Sequence, residues 1–106
     1  MKALLIDYEY CTGCHTCEIA CQQELGLPPD KFGIKITEIG PDQISDRVWE
    51  LNYVPVPTDR CTRCAGRVAR GKLPSCVKHC QAGCMFYGTV EELAPKMDHH
   101  RMALFI

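Results

Sequence analysis

The sequence predicts an α+β fold in one small domain, residues 1–106, and three observations carry that prediction. Nine of the 106 residues are cysteine, a share at which cysteine itself sets the class of the chain. Leu, Ile, Val and Phe together supply only 24 residues. Short chains bury a smaller fraction of their surface than long ones, so disulfides or metal must help hold this fold. Lastly, segments with strand-like alternation and short helical segments follow one another, punctuated by glycine and proline.

In chain order, residues 2–8 form an apolar strand leading into the first cysteines. Residues 17–25 read as a helix, stopped by Gly26 and then by Pro28 and Pro29, which cannot continue it. Residues 33–39 and 47–56 read as two strands, the second placing Trp49, Leu51 and Tyr53 on one face. Gly40-Pro41-Asp42 has turn chemistry, so residues 33–56 are expected to form an inserted β-hairpin, with Trp49 and the tyrosines in the core. A second helix is expected from Pro74 to about Cys80, with Gly83 as its exit, followed by a returning strand at residues 85–87. Thr89 and Glu92 have capping-box spacing, opening a short helix that Pro95 limits. The apolar tail, residues 102–106, either closes the sheet or enters a larger subunit, and the second is the expectation.

Cysteine spacing decides between disulfides and metal. Nine is odd, and several cysteines lie two or three residues apart, as metal ligands do. Before Asp7 the only apolar run is residues 3–6. No secretory h-region, twin-Arg pair or 18-residue apolar stretch is visible, so the expected location is cytoplasmic with no membrane span.

Cys11, Cys14, Cys17 and Cys21 form C-x2-C-x2-C-x3-C. Two-residue spacers let a tight loop curl around a cubane and present three thiolates to three irons. The fourth cysteine, on the following helix, points away and in two-cluster ferredoxins ligates the other cluster. Cys61, Cys64, Cys76 and Cys80 form C-x2-C-x11-C-x3-C, from which, taken alone, a zinc site could also be drawn. Beside the first group it becomes that group's partner. The crossed arrangement expects one 4Fe-4S cluster on Cys11, Cys14, Cys17 and Cys80, and a second on Cys61, Cys64, Cys76 and Cys21. Cys84 is the ninth cysteine, read as a buried thiol beside a cluster rather than a ligand. His15, His99 and His100 are not needed as ligands once eight thiolates are placed. Gly13 and Gly83 would let backbone N–H groups approach cluster sulfurs.

Charge is unevenly spread, although the net charge is only −1. Residues 60–80 hold Arg60, Arg63, Arg67, Arg70, Lys72 and Lys78 and no carboxylate, leaving −7 on the rest of the chain. A basic segment can mark nucleic-acid binding. Its coincidence with a cysteine group points instead to the offsetting of an anionic cofactor, and Arg60, Arg63 and Arg67 would raise a reduction potential there.

Residues 7–21, Asp-Tyr-Glu-Tyr-Cys-Thr-Gly-Cys-His-Thr-Cys-Glu-Ile-Ala-Cys, resemble the opening cluster motif of iron-sulfur subunits in the dimethyl sulfoxide reductase family of molybdenum and tungsten oxidoreductases. The second group, with Arg67, Val68, Gly71, Pro74 and Val77 between its cysteines and Gly83 after them, is similar to the long-spacer motif of the same subunits. Gln22 and Gln81 stand where that family usually has proline, and Cys84 where alanine is common. The resemblance implies a small ferredoxin-like domain around two 4Fe-4S clusters. The function it implies is a non-catalytic relay between a large catalytic subunit and a redox partner. That catalytic partner would be a molybdenum or tungsten pterin enzyme, a tungsten aldehyde oxidoreductase or a flavoprotein. No paired carboxylate, nucleophile-base pair or phosphate-cradling motif suggests a catalytic site in this chain. The competing expectations are a free soluble two-cluster ferredoxin and, from another class, a zinc-stabilised binding module.

Overall fold

The computed structural model describes residues 1–98 and 100–106. Its spine is strand β1 (Lys2–Asp7), in which every residue after Lys2 is buried. Successive strand side chains point to opposite faces, so Leu4 and Ile6 face a cluster that includes Cys17, Cys21 and Cys76, while Ala3 and Leu5 face Leu93. β1 is the centre of an antiparallel sheet in the order β4-β1-β5, with β4 spanning Met85–Thr89 and β5 Met102–Phe105. In the register Leu5 faces Phe86 on one side and Leu104 on the other. The apolar tail therefore closes the chain's own sheet and is not a free segment awaiting a partner. Its Met102 and Leu104 pack on the Leu5 and Leu93 cluster, and its Phe105 on the cysteine-rich one.

Helix α1 (Thr16–Leu25) follows the first cysteine loop and ends at Gly26 in the left-handed region. Helix α3 (Ser75–His79) packs beside it, its Ser75 hydroxyl donating to the Ala20 carbonyl at 3.3 Å. Between them in sequence comes α2 (Ala65–Ala69), a five-residue helix that periodicity does not announce. It is held by Arg67, whose Nε donates to the Leu73 carbonyl at 2.8 Å. The capping box opens α4 (Val90–Leu93) as its spacing predicts: Glu92 N–H donates to Thr89 Oγ1 and Thr89 N–H to Glu92 Oε1. A 3-10 turn at Ala94–Lys96 contains Pro95. Among the described residues no helix is long and apolar enough to cross a membrane.

Strands β2 (Ile34–Ser45) and β3 (Val48–Pro57) pair as an antiparallel hairpin between the two cysteine groups. Its turn is at residues 46–47, not at Gly40-Pro41-Asp42. Those residues stay in β2 as an irregularity, with the register shifting between the Ile39 and Asp42 pairs. Pro41 has no N–H to give the ladder, and a strand accommodates such a residue at a bulge. The hairpin consequently outruns the body it packs on. Ile34, Ile36 and Pro55 are buried at its base, whereas Trp49 is 61% and Leu51 48% exposed near its tip. Trp49 is therefore not core, and Tyr10 is exposed as well, while Tyr8 and Tyr53 pack against the cysteine-rich cluster.

Candidate iron-sulfur centres

The loop between β1 and α1 presents the first three cysteines at different depths: Cys14 exposed, Cys11 half-buried, Cys17 buried in the first turn of α1. Gly13 makes the tight turn between them with φ +72°, and the Tyr53 ring lies so close that an added Cβ would sit 2.9 Å from its carbons. Glycine is required there on both counts. Cys80, just past α3, and Cys84, just before β4, come up to the same place. Cys11, Cys14, Cys17, Cys80 and Cys84 line one cavity, walled by Ile36, Pro55 and Met85. The Cys80 and Cys84 sulfurs are 3.7 Å apart.

The second gathering lies one turn further along α1, at Cys21. Cys21 is buried against Gly33. A Cβ on Gly33 would fall 2.5 Å from the Cys21 sulfur, so only glycine leaves room for it. Cys61 Sγ accepts from Arg63 N–H and Cys64 Sγ from Ser75 N–H, each at 3.4 Å. Cys64 and Cys76 are buried, and Cys61 is half-exposed.

Electrostatics sort the thiols into the same two sets. Burial pushes Cys17 up to about 12, with negative charge on Cys11, Glu18 and Cys80 adding to it. Burial also raises Cys11; the Gly13 N–H opposes this, and Cys80 and Cys14 reinforce it. Cys21 is pushed up to about 11 by burial and then by Cys64 and Cys61. Cys76 is pushed up to about 12 by burial, then by Cys64, Cys17, Cys21 and Cys61. Cys76 thus senses both sets, which meet where α1 packs on α3. Burial and the neighbouring Cys80 push Cys84 up as well. Exposed Cys14 is the contrast, lowered by hydrogen bonds from the Thr16 side chain and backbone. Buried thiols that repel one another as thiolates become jointly charged only when cations lie among them.

The donor set therefore fits a metal-sulfur group. Among the described residues, no three His, Cys, Asp or Glu side chains are grouped so as to hold one metal ion. All nine cysteines are free thiols.

Other expected residues divide. His15 Nδ1 is 2.6 Å from Glu18 Oε1, an ion-pair partner rather than a ligand. His100 is exposed in the turn before β5, and His99 lies outside the described residues. Gly83 closes a turn onto the Cys80 carbonyl, its N–H donating at 3.3 Å with φ at +64°. Arg67 turns toward Glu24 at 3.7 Å and braces α2. Gly33, the Tyr53 ring and Glu18 are not legible as site residues in the sequence, because nothing local signals a contact made across 12 to 40 residues. Glu18 is buried within α1, its Oε2 accepting the Ile36 N–H at 2.7 Å and thereby fastening β2 to the cysteine helix.

Comparison with known proteins agrees with this chemistry. Residues 4–24 match the 4Fe-4S binding domain family. Over 86 residues the chain is 34% identical to one component of the anaerobic dimethyl sulfoxide reductase of Escherichia coli, an alignment covering 76% of this chain and 37% of that component. The chain is a relative of the iron-sulfur subunits of such reductases. A provisionally named dimethyl sulfoxide reductase iron-sulfur subunit of Halobacterium salinarum is 31% identical, over 92% of this chain and 37% of its own length. A component of the tetrathionate reductase of Salmonella typhimurium is 24% identical, over 95% and 33%. The chain thus spans about a third of the length of these iron-sulfur relatives.

Proposed function

We propose that residues 1–106 form a single ferredoxin-like domain that relays electrons through two 4Fe-4S clusters. The first would be held by Cys11, Cys14, Cys17 and Cys80, the second by Cys21, Cys61, Cys64 and Cys76. The observation that carries this reading is the exchange of last members between the two sequence groups. Cys80 shares a cavity with Cys11, Cys14 and Cys17, while Cys21 responds to Cys61 and Cys64. Such a cluster supplies a one-electron centre whose potential follows net charge, hydrogen bonds to sulfur and exposure. The chain's own residues set all three. Arg63 and Ser75 present N–H groups to the Cys61 and Cys64 sulfurs. Cys84 is a buried thiol at the first set, outside the ligand count.

The chain carries no catalytic site in this reading. It serves a larger catalytic oxidoreductase subunit, as the names of its relatives suggest; that this subunit is a molybdenum or tungsten pterin enzyme or a flavoprotein is what the motif resemblance implies. Nine free thiols suit a reducing, cytoplasmic setting. Anaerobic analysis should find about eight irons and eight acid-labile sulfides per chain, four of each for either set. Half that iron with zinc making up the difference would refute the two-cluster relay and favour zinc at the second set.

A further inference from the structure

We propose that the basic face around Cys61 is the docking surface for a small acidic electron-carrier protein, an inference that rests on the relay function above. Cys61 is the one half-exposed cysteine of the second set, the others being buried. The chain wraps this edge: Arg63 N–H reaches the Cys61 sulfur, Ser75 N–H reaches Cys64, and Arg67 folds residues 70–73 back against α2. Arg60, Arg63, Arg70 and Lys72 are carried on this wrapped segment, and among the described residues none of the four makes an ion pair. Leu73, 48% exposed on the same segment, supplies an apolar contact inside a charged rim.

Charge offset for a bound cluster does not account for this face. Were that its purpose, the first set would need comparable cations, yet residues 7–30 hold Asp7, Glu9, Glu18, Glu24 and Asp30 and no Lys or Arg. The two sets have the same donors and opposite surroundings. An unpaired basic rim around an exposed sulfur edge speeds and orients encounter with an acidic surface. In that encounter one electron leaves the carrier's centre, which is oxidised by one electron. It enters the chain at the Cys61 set, which is reduced by one electron; no bond is made or broken and no proton moves.

The test is stopped-flow reduction of the cluster-loaded chain by a reduced acidic plant-type ferredoxin, with a photogenerated neutral deazaflavin radical as the second donor. The ferredoxin rate should fall steeply with added salt. At low salt, Arg70→Glu combined with Lys72→Glu should slow it by roughly 10-fold or more, and Asp46→Lys on the hairpin should not. Reduction by the neutral radical should change far less than the ferredoxin rate in every variant; its failure in the unaltered chain would refute the relay itself. Equal slowing with both donors would mean that the cations tune the cluster rather than dock a partner, overturning the proposal. So would a ferredoxin rate indifferent to salt and to both the arginine and the lysine change. A salt-sensitive dimer dissolved by Arg70→Glu would overturn it by assigning the face to a second copy, and tight duplex DNA binding lost in the same variant would overturn it by assigning the face to nucleic acid.

Discussion

Replacing Gly33 by alanine tests the second set most directly, because the added atom is aimed at the sulfur of Cys21, a proposed ligand. The new Cβ would lie 2.5 Å from Cys21 Sγ and 3.2 Å from Leu25 Cδ1. Non-bonded heavy atoms rest at roughly 3.5–4.0 Å, so the sulfur must retreat by about 1 Å. The backbone cannot readily yield instead: Thr58 N–H holds the Gly33 carbonyl at 2.9 Å, and Thr58 Oγ1 holds that of Phe32 at 2.6 Å. Overpacking of this kind typically costs about 1–3 kcal/mol. Metal-ligand distances tolerate only about 0.2 Å, so the loss should appear as a lost cluster rather than a softened fold. Anaerobically prepared Gly33→Ala should carry close to half the iron and sulfide of the parent. Its reduced EPR spectrum should keep one cluster signal and lose the second. Gly66→Ala, where only the Arg70 side chain lies within 4 Å of the added Cβ, should keep both. A Gly33→Ala chain with full iron and an unchanged spectrum would refute the placement of Cys21 as a ligand.

Cys21→Ala should damage the cluster associated with Cys61, Cys64 and Cys76, and Cys84→Ala should leave both clusters intact; EPR of the reduced variants reads each, and damage confined to the Cys11 set in Cys21→Ala would refute the exchange. Glu18→Ala strands the buried Ile36 N–H and should cost about 1–3 kcal/mol in denaturant unfolding, with Glu18→Gln restoring much of it. Burial pushes the Glu18 carboxyl up, but the Ile36 N–H, the His15 hydrogen bond and Lys35 outweigh it and hold it below the usual range. Its contribution is then complete above the ordinary carboxylate pKa and lost as pH falls through the depressed folded value, so the parent should lose stability there more steeply than Glu18→Gln. In a potentiometric titration followed by EPR, the set among the basic residues should reduce at the higher potential, since positive charge favours the added electron; the reverse order would contradict the charge argument.

Composition and spacing determine the chemistry of this chain. Eight cysteines in two groups, C-x2-C-x2-C-x3-C and C-x2-C-x11-C-x3-C, already announce a cluster protein, because ligation by a curled loop is a local problem that sequence separation encodes. Local too are the apolar run of β1, the Gly26 stop and the Thr89 capping box, and all three are legible in the sequence. What depends on distant segments is not. The turn at residues 46–47, the overhanging tip with Trp49 in solvent, and the return of residues 102–105 to β1 follow from how long one element is relative to the body it meets. Gly33 looks like an ordinary strand opening until folding brings the Cys21 sulfur against it. Glu18 looks like a surface helix residue until β2 arrives with an N–H to satisfy. Spacing selects the donors; only tertiary packing decides which backbone groups, rings and charges surround them, because those neighbours come from segments that no local period connects.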